Sequence, residues 1–164
     1  MLKKIGLLLL IALGVIQFFR PEKNESNDLT YDITTKYEVP KEVEEILRVS
    51  CNDCHSNKTE YPWYAEIQPV GWWLNDHVED GKRHLNFSEL TKRPIAIQNH
   101  KFEETVEMVE EKEMPLESYT YFGLHPEANL SEAQRQVLIR WAKDQMTFLA
   151  NNYPADSLVM PRRR

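Results

Sequence analysis

Apolar and polar positions divide the chain into an apolar amino-terminal run, a polar stretch and a longer body with helical periodicity. The run covers residues 5–19 and is interrupted only by two glycines and one glutamine. Residues 21–39 are rich in Asn, Glu, Asp and Thr without an apolar period, which predicts a polar linker. Residues 40–153 carry the periodic segments and form the predicted domain, and residues 154–164 are a predicted tail that ends in three arginines.

Three segments of the body show the 3.6-residue period of amphipathic helices. A first helix can begin at Pro40, where the missing N–H is not needed, and its apolar face carries Val43, Ile46, Leu47 and both cysteines. A second covers residues 101–112, and a third begins at Ser131, which can make a capping box with Gln134. Aromatic and turn-forming residues at positions 56–87 predict loops with one short helix near residues 74–79. Since no segment shows strand–helix alternation, the pattern predicts an all-α fold.

The amino-terminal run has the features of a membrane signal-anchor. Lys3 and Lys4 precede it, and nothing like Ala-x-Ala stands before Arg20, which favours an uncleaved segment with a cytoplasmic amino end. We therefore expect residues 1–20 to form a single transmembrane helix in the bacterial inner membrane, with the domain on the periplasmic side. The alternative is a cleaved signal and a soluble periplasmic protein, because the run is long for a signal-peptide core and short of the roughly 20 residues of a full span.

Composition narrows the possible partners. The chain carries 20 Lys and Arg against 26 Asp and Glu, a formal net charge of -6, whereas binding along a nucleic-acid backbone requires clustered positive charge. We expect no nucleic-acid partner. The two cysteines are too few for a framework of several disulfides, so their role is expected to be chemical.

The two cysteines belong to a motif with a specific chemistry. Cys51-Asn52-Asp53-Cys54-His55 is the C-x-x-C-H signature of c-type haem attachment. Two thiols three residues apart on a helical turn can reach the two vinyl groups at one edge of the porphyrin, and the next residue then points its imidazole at the iron. The sequence therefore predicts one covalently attached haem c, held by Cys51 and Cys54, with His55 as the proximal iron ligand.

Two other uses of such a cysteine pair are less well supported. A thioredoxin-like redox pair needs a strand–helix context, which the surrounding pattern does not show. A zinc site needs further ligands at suitable spacing, and the other histidines are scattered at positions 77, 84, 100 and 125.

The sixth iron ligand has more than one candidate. Met114, followed by Pro115, lies carboxy-terminal to the motif and before the last helix, where a thioether could approach the opposite haem face. His77 is the main alternative, because a neutral imidazole is an equally suitable axial ligand. His84, His125 or an open site are the other possibilities.

The chain also resembles a family, the bacterial haem-binding-domain proteins, which are small c-type-cytochrome-like modules that commonly follow an amino-terminal membrane segment. The similarity runs over residues 39–141 and includes the C-x-x-C-H motif, Tyr61-Pro62-Trp63-Tyr64, His77-Val78 with Gly81, Leu85-Asn86-Phe87-Ser88, Met114-Pro115, Tyr119 and His125-Pro126. The resemblance implies haem binding by Cys51, Cys54 and His55, with Met114 in the ligand-loop position. The family pattern often reads Met-Pro-Pro, and Leu116 stands in the third place here.

These observations predict a cytochrome c-like domain in which the attachment helix and the last helix pack together over one haem edge. The expected function is electron transfer at the outer face of the inner membrane, with redox protein partners that the sequence does not identify. We expect a carrier or binding module and not an enzyme. A gas or redox sensor, or a small peroxidase-type enzyme, is the alternative, since both need an open or easily displaced distal position.

Overall fold

The structure, a computed structural model, describes residues 1–160, apart from the side chain of Phe122. Six α-helices lie within this range: α1 Leu2–Ile16, α2 Lys41–Ser50, α3 Asn52–His55, α4 Val70–His84, α5 Ile95–Glu110 and α6 Glu132–Asn152. Short 3₁₀ helices occupy Ile33–Thr35, Trp63–Glu66, Phe87–Lys92, Glu117–Gly123, Pro126–Ala128 and Ala155–Leu158. The described residues form no β-strands beyond one isolated bridge between Glu25 and Lys58. The prediction of an all-α fold is therefore confirmed.

The predicted transmembrane helix is wrong. Helix α1 has 15 residues, and at 1.5 Å per residue it is about 22 Å long, short of a hydrocarbon core of about 30 Å. Gln17, which follows the helix, donates through its Nε2 to the Leu13 carbonyl of α1 (3.0 Å) and to the Gln68 carbonyl (2.9 Å), and the Gln68 N–H donates to its Oε1 (2.9 Å). Across residues 1–160, no helix is long and apolar enough to cross a bilayer. The single-pass inner-membrane location that rested on this helix is wrong too.

The hydrophobic core lies mainly between α5 and α6. Phe102 of α5 is almost fully buried and meets Trp141 of α6 and Tyr37 edge to face, with ring centroids 5.7 and 4.9 Å apart. Helix α6 begins with the predicted capping box, in which Ser131 and Gln134 bond each other's backbone. Helix α2 begins directly after Pro40 and buries its apolar face in the same core, at Val43, Ile46 and Leu47. Helix α2 also contacts α6. That the fold is cytochrome c-like stays a prediction.

The polar segment 21–39 lies against the body. Asn24 is buried: its side chain donates to the Ser56 carbonyl (2.9 Å) and to Thr59 Oγ1 (3.0 Å), and its Oδ1 accepts from Lys82 Nζ (2.6 Å). Tyr37 is buried in the core. The polar side chain of Asn24 thus forms hydrogen bonds with residues that follow the C-x-x-C-H motif in the chain. The assignment of residues 21–39 as a separate linker stays a prediction.

Helix α4 is much longer than the short helix predicted near residues 74–79. Gly71 and Gly81 look like turn formers in the sequence, but both lie inside the helix, where a Cβ on Gly71 would meet the Ala65 carbonyl and one on Gly81 would meet Cys54. The helix thus uses its glycines for close packing. At the other end of the chain, the predicted tail contains the 3₁₀ helix Ala155–Leu158, and the arginine-rich end of that tail lies outside the described residues.

Candidate functional site

The C-x-x-C-H motif forms a single helical turn at the end of α2. Cys51 leaves helical geometry with φ −129° and ψ −45°, while its N–H still donates to the Leu47 carbonyl (2.9 Å) and its own carbonyl accepts from the His55 N–H (2.9 Å). The helical geometry is therefore interrupted at Cys51, between α2 and α3, while the backbone N–H and carbonyl of Cys51 keep their hydrogen bonds. Cys51, Cys54 and His55 share this turn, but the prediction that both cysteines lie on the helix beginning at Pro40 is wrong, because α2 ends at Ser50 and Cys54 belongs to α3.

Both cysteines are free thiols and are half-buried. Burial raises the pKa of the Cys51 thiol to about 11. Burial, together with the nearby Asp53 carboxylate, raises the pKa of Cys54 to about 12. The thiols are therefore neutral near pH 7, unlike the reactive thiolates of thioredoxin-like proteins or the metal-bound thiolates of zinc sites. In the part of the chain that the structure describes, no group of three or more His, Cys, Asp or Glu side chains could hold a metal ion.

His55 is oriented by the carboxy-terminal end of α4. Its Nδ1 lies 3.0 Å from the Gly81 carbonyl and 2.9 Å from the Leu85 carbonyl. Since a carbonyl only accepts hydrogen bonds, Nδ1 must carry the proton, and Nε2 keeps a lone pair that can bind a metal. Burial lowers the pKa of His55, so the imidazole is neutral. A ring held by a backbone carbonyl through its second nitrogen is the usual arrangement of a histidine that ligates a metal.

Gly81 places α4 next to the motif. A Cβ at this position would lie 2.8 Å from the Cys54 Cβ and would also overlap the Cys54 carbonyl, a separation that real side chains do not reach. Only glycine lets the two backbones approach closely enough for its own carbonyl to bond His55. The sequence does not reveal this role, because Gly81 stands outside the short helix predicted near residues 74–79 and has the character of a turn former.

Asp53 connects the motif to the segment after Met114. Its Oδ2 accepts a hydrogen bond from the Tyr119 hydroxyl (2.5 Å), and its Oδ1 accepts from the Glu60 N–H (2.8 Å). The Tyr119 ring lies flat on His125, with centroids 4.2 Å apart and planes inclined by 4°. His125 in turn bonds the Tyr64 hydroxyl through Nε2 (2.8 Å). Burial and the bond to Asp53 raise the pKa of Tyr119, so it stays a donor at ordinary pH.

Met114 follows a helix end of specific geometry. Lys112 has φ 62°, its N–H donates to the Val109 carbonyl (3.3 Å), and the Glu113 N–H donates to the Met108 carbonyl (3.0 Å). These two bonds are those of a Schellman motif. The sequence does not reveal it, because lysine stands where glycine is usual.

Arg135 of α6 holds this turn from the other side, and sequence reasoning misses it. Its Nη1 donates to the Val109 carbonyl (3.2 Å) and to the Met114 carbonyl (2.9 Å). The backbone on both sides of the turn is thus fixed to α6. The backbone of Met114 is thus bonded to α6 through Arg135. That the Met114 sulfur ligates the iron stays a prediction.

The other histidines occupy different environments. His77 lies on α4 with Nδ1 2.8 Å from the Trp73 carbonyl and its ring 4.3 Å from the Trp73 ring, so its Nε2 also keeps a lone pair and His77 stays an alternative ligand. His84 is exposed on the last turn of α4. His125 already forms a hydrogen bond with the Tyr64 hydroxyl and a ring stack with Tyr119, and its Nδ1 lies 3.5 Å from Glu127 Oε1.

The residues of the motif fit an iron porphyrin. Two neutral thiols and one neutral imidazole lie on a single turn, and Phe87 lies edge-on to the His55 ring with centroids 6.5 Å apart. This donor set is too small for a metal ion bound by protein alone, and it suits an iron that already has four nitrogen ligands.

The chain was compared with curated proteins, solved structures and protein-family models. No curated protein and no solved structure matches the chain. The haem-binding domain family matches residues 11–144, which include the C-x-x-C-H motif, Gly81, Met114 and Tyr119. The resemblance noted in the sequence is thus confirmed at the level of the family, and the chain belongs to the haem-binding domain family.

Proposed function

We propose that this protein carries one covalently attached haem c and transfers electrons. The observation that carries the proposal is the orientation of His55: the carbonyls of Gly81 in α4 and of Leu85, which follows α4, hold its Nδ1, and Nε2 is left with a lone pair beside two free thiols. Cys51 and Cys54 would hold the porphyrin by thioether bonds, each adding its sulfur and its proton across one vinyl group, so that no oxidant is consumed. Neutral thiols suit this addition because both the sulfur and the proton are retained.

The chain's own groups would tune the bound cofactor. Haem would supply an iron that exchanges single electrons. Hydrogen bonds from Nδ1 of His55 to the Gly81 and Leu85 carbonyls increase the electron donation of the imidazole. A more basic ligand stabilises the oxidised iron, and we therefore expect these two carbonyls to lower the reduction potential.

Met114 is the proposed second axial ligand. The support for it is the fixed backbone of its turn, which the Schellman motif and Arg135 hold on both sides. A preorganised thioether loses less conformational entropy on binding iron than one on a mobile loop.

Electron transfer is preferred over catalysis because it needs no substrate pocket beside the haem. The proposed partners are redox proteins that exchange one electron at a time.

Attachment is tested by a haem-stained denaturing gel and an optical spectrum of protein expressed with a c-type maturation system. Cys51→Ala and Cys54→Ala should each lose one thioether, and the double variant should lose the stain entirely. Asn52→Ala is the matched control, because it changes the motif without removing a thiol and should stain like the wild type. A colourless wild-type band with both thiols still free would overturn the proposal.

Coordination is tested by the spectrum and by carbon monoxide. We expect a low-spin, six-coordinate iron in both oxidation states that binds carbon monoxide slowly. Met114→Leu should give a high-spin signal and rapid binding, whereas Met108→Leu, on the preceding turn, should not. If His77→Ala has the effect expected of Met114→Leu, then His77 is the ligand. A high-spin wild type with rapid carbon monoxide binding would favour sensing or catalysis over electron transfer.

A further inference from the structure

Tyr119 lies where two parts of the molecule meet. One part is the haem-attachment turn, to which its hydroxyl is bonded at Asp53 Oδ2 (2.5 Å). The other is its own 3₁₀ helix, Glu117–Gly123, which follows Met114. A single hydroxyl therefore joins the segment after the proposed distal ligand to the residue between the two attachment cysteines.

Neighbouring groups hold this tyrosine in place. Its ring is stacked on His125 at 4.2 Å, and the Tyr64 hydroxyl bonds Nε2 of that histidine (2.8 Å). The Glu127 carboxylate lies 3.5 Å from the His125 Nδ1 and favours a proton there, which leaves Nε2 to accept from Tyr64. Each donor in the series thus has an acceptor, and the Tyr119 ring is fixed from a third segment, Trp63–Glu66.

Asp53 is held on both oxygens. Besides Tyr119 on Oδ2, the Glu60 N–H donates to Oδ1 (2.8 Å), and the Asp53 carbonyl accepts from Thr59 Oγ1 (2.6 Å). A carboxylate with two donors is much less free to turn than one facing solvent, and a hydrogen bond to a charged acceptor is stronger than one between neutral groups.

We propose that Tyr119 is a positioning residue whose bond to Asp53 holds the haem-attachment turn and the segment after Met114 together, and so limits access of small molecules to the haem iron. The part that concerns the iron rests on the proposed function. The part that concerns the two protein segments does not. In this proposal Tyr119 takes no part in attachment.

The experiment compares Tyr119→Phe with Thr120→Val. Phenylalanine keeps the stack on His125 and removes only the hydroxyl. Thr120 is the matched control, because its hydroxyl bonds the Glu117 carbonyl (3.0 Å) within the same 3₁₀ helix and does not reach Asp53. Asp53→Ala, alone and combined with Tyr119→Phe, removes the acceptor on the other side of the bond and serves as a second variant should one of them fold poorly.

Two measurements are made on these variants. In protein without haem, hydrogen exchange should become faster in Tyr119→Phe both at residues 51–60 and at residues 117–123, and in Thr120→Val only at the latter. In haem-loaded protein, Tyr119→Phe should bind carbon monoxide about tenfold faster. The reason is that loss of a hydrogen bond to a charged group changes the equilibrium constant for separation of the two segments by roughly tenfold. The reduction potential should shift as well, which loss of stability alone does not cause.

The outcomes separate the two proposals. If the double variant changes the carbon monoxide rate no more than either single variant does, the two groups act through one bond, as proposed. Additive changes, or a Tyr119→Phe protein that behaves like Thr120→Val, would overturn the role of Tyr119. If the wild type carries no haem, covalent attachment is refuted, and the exchange measurement alone decides whether Tyr119 joins the two segments.

Discussion

The core between α5 and α6 and the region around the C-x-x-C-H motif are held together in different ways. In the core, Phe102 is 1% exposed and Leu149 is 0% exposed, and apolar burial is the main attraction. Around the motif, half-buried side chains are positioned by hydrogen bonds such as those from His55 to α4 and from Tyr119 to Asp53, and Trp63 is 74% exposed. The stability of the core and the geometry of the site therefore depend mainly on different interactions, although Cys51, Leu85 and Phe87 belong to both regions. Substitutions away from these shared residues should be able to change one without the other.

The largest expected effect is a loss of stability from the core. Phe102→Ala removes a ring that contacts Tyr37 and Trp141 edge to face, and it should lower the free energy of unfolding by about 3–5 kcal/mol. Urea denaturation measures this. Haem-loaded protein that still folds should keep the wild-type absorption spectrum, because the ring contacts of Phe102 are with Tyr37 and Trp141, neither of which belongs to the motif. A changed spectrum in a folded variant would show that the two regions are coupled.

Gly81→Ala should affect both regions at once. In an open helical position this change stabilises by up to about 1 kcal/mol, but here the new methyl group would overlap Cys54. We expect a net loss of about 1–3 kcal/mol and less attached haem, because α4 must move away from His55. Gly14→Ala is the matched control, since a Cβ there meets nothing within 4 Å. Wild-type haem content in Gly81→Ala would contradict the close approach of α4.

The sequence predicts the helices of the core better than it predicts the contacts of the site. Periodicity locates α2 and α6, and the Ser131 capping box is where the pattern predicts it. Periodicity does not reveal the pairing of Gln17, at the end of α1, with Gln68, 51 positions away. Nor does it locate the contact of Arg135 with Met114 or the packing role of Gly81. Local patterns encode burial, whereas the site depends on hydrogen bonds between residues that are distant in sequence.

Alkaline pH should test the core through Tyr37. Burial raises the pKa of this residue, whose hydroxyl donates to Gln98 Oε1 (2.5 Å). An unfolded tyrosine loses its proton near pH 10 while the folded one keeps it, so the unfolded chain binds fewer protons and stability falls as the pH rises. The loss is up to about 1.4 kcal/mol per pH unit above pH 10. Tyr37→Phe should reduce this slope in urea denaturation at pH 9 to 11, and Tyr31→Phe, at an exposed position, should not.

The smallest expected effect is at Lys112, where the core ends and the Met114 segment begins. Lysine at φ 62° costs about 1–2 kcal/mol relative to ordinary helical geometry, and Lys112→Gly removes that cost while increasing the entropy of the unfolded chain by up to about 1 kcal/mol. We expect a net gain of about 0.5 kcal/mol in thermal or urea denaturation. Glu113→Gly is the control and should destabilise, since Glu113 has a negative φ and gains nothing from glycine.

A loss of stability in Lys112→Gly would mean that the positive charge at the carboxy-terminal end of α5 outweighs the backbone strain. The Schellman motif before Met114 would then be maintained by the charge of Lys112, and Lys112→Gln, which removes the charge and keeps the strain, should be less stable still.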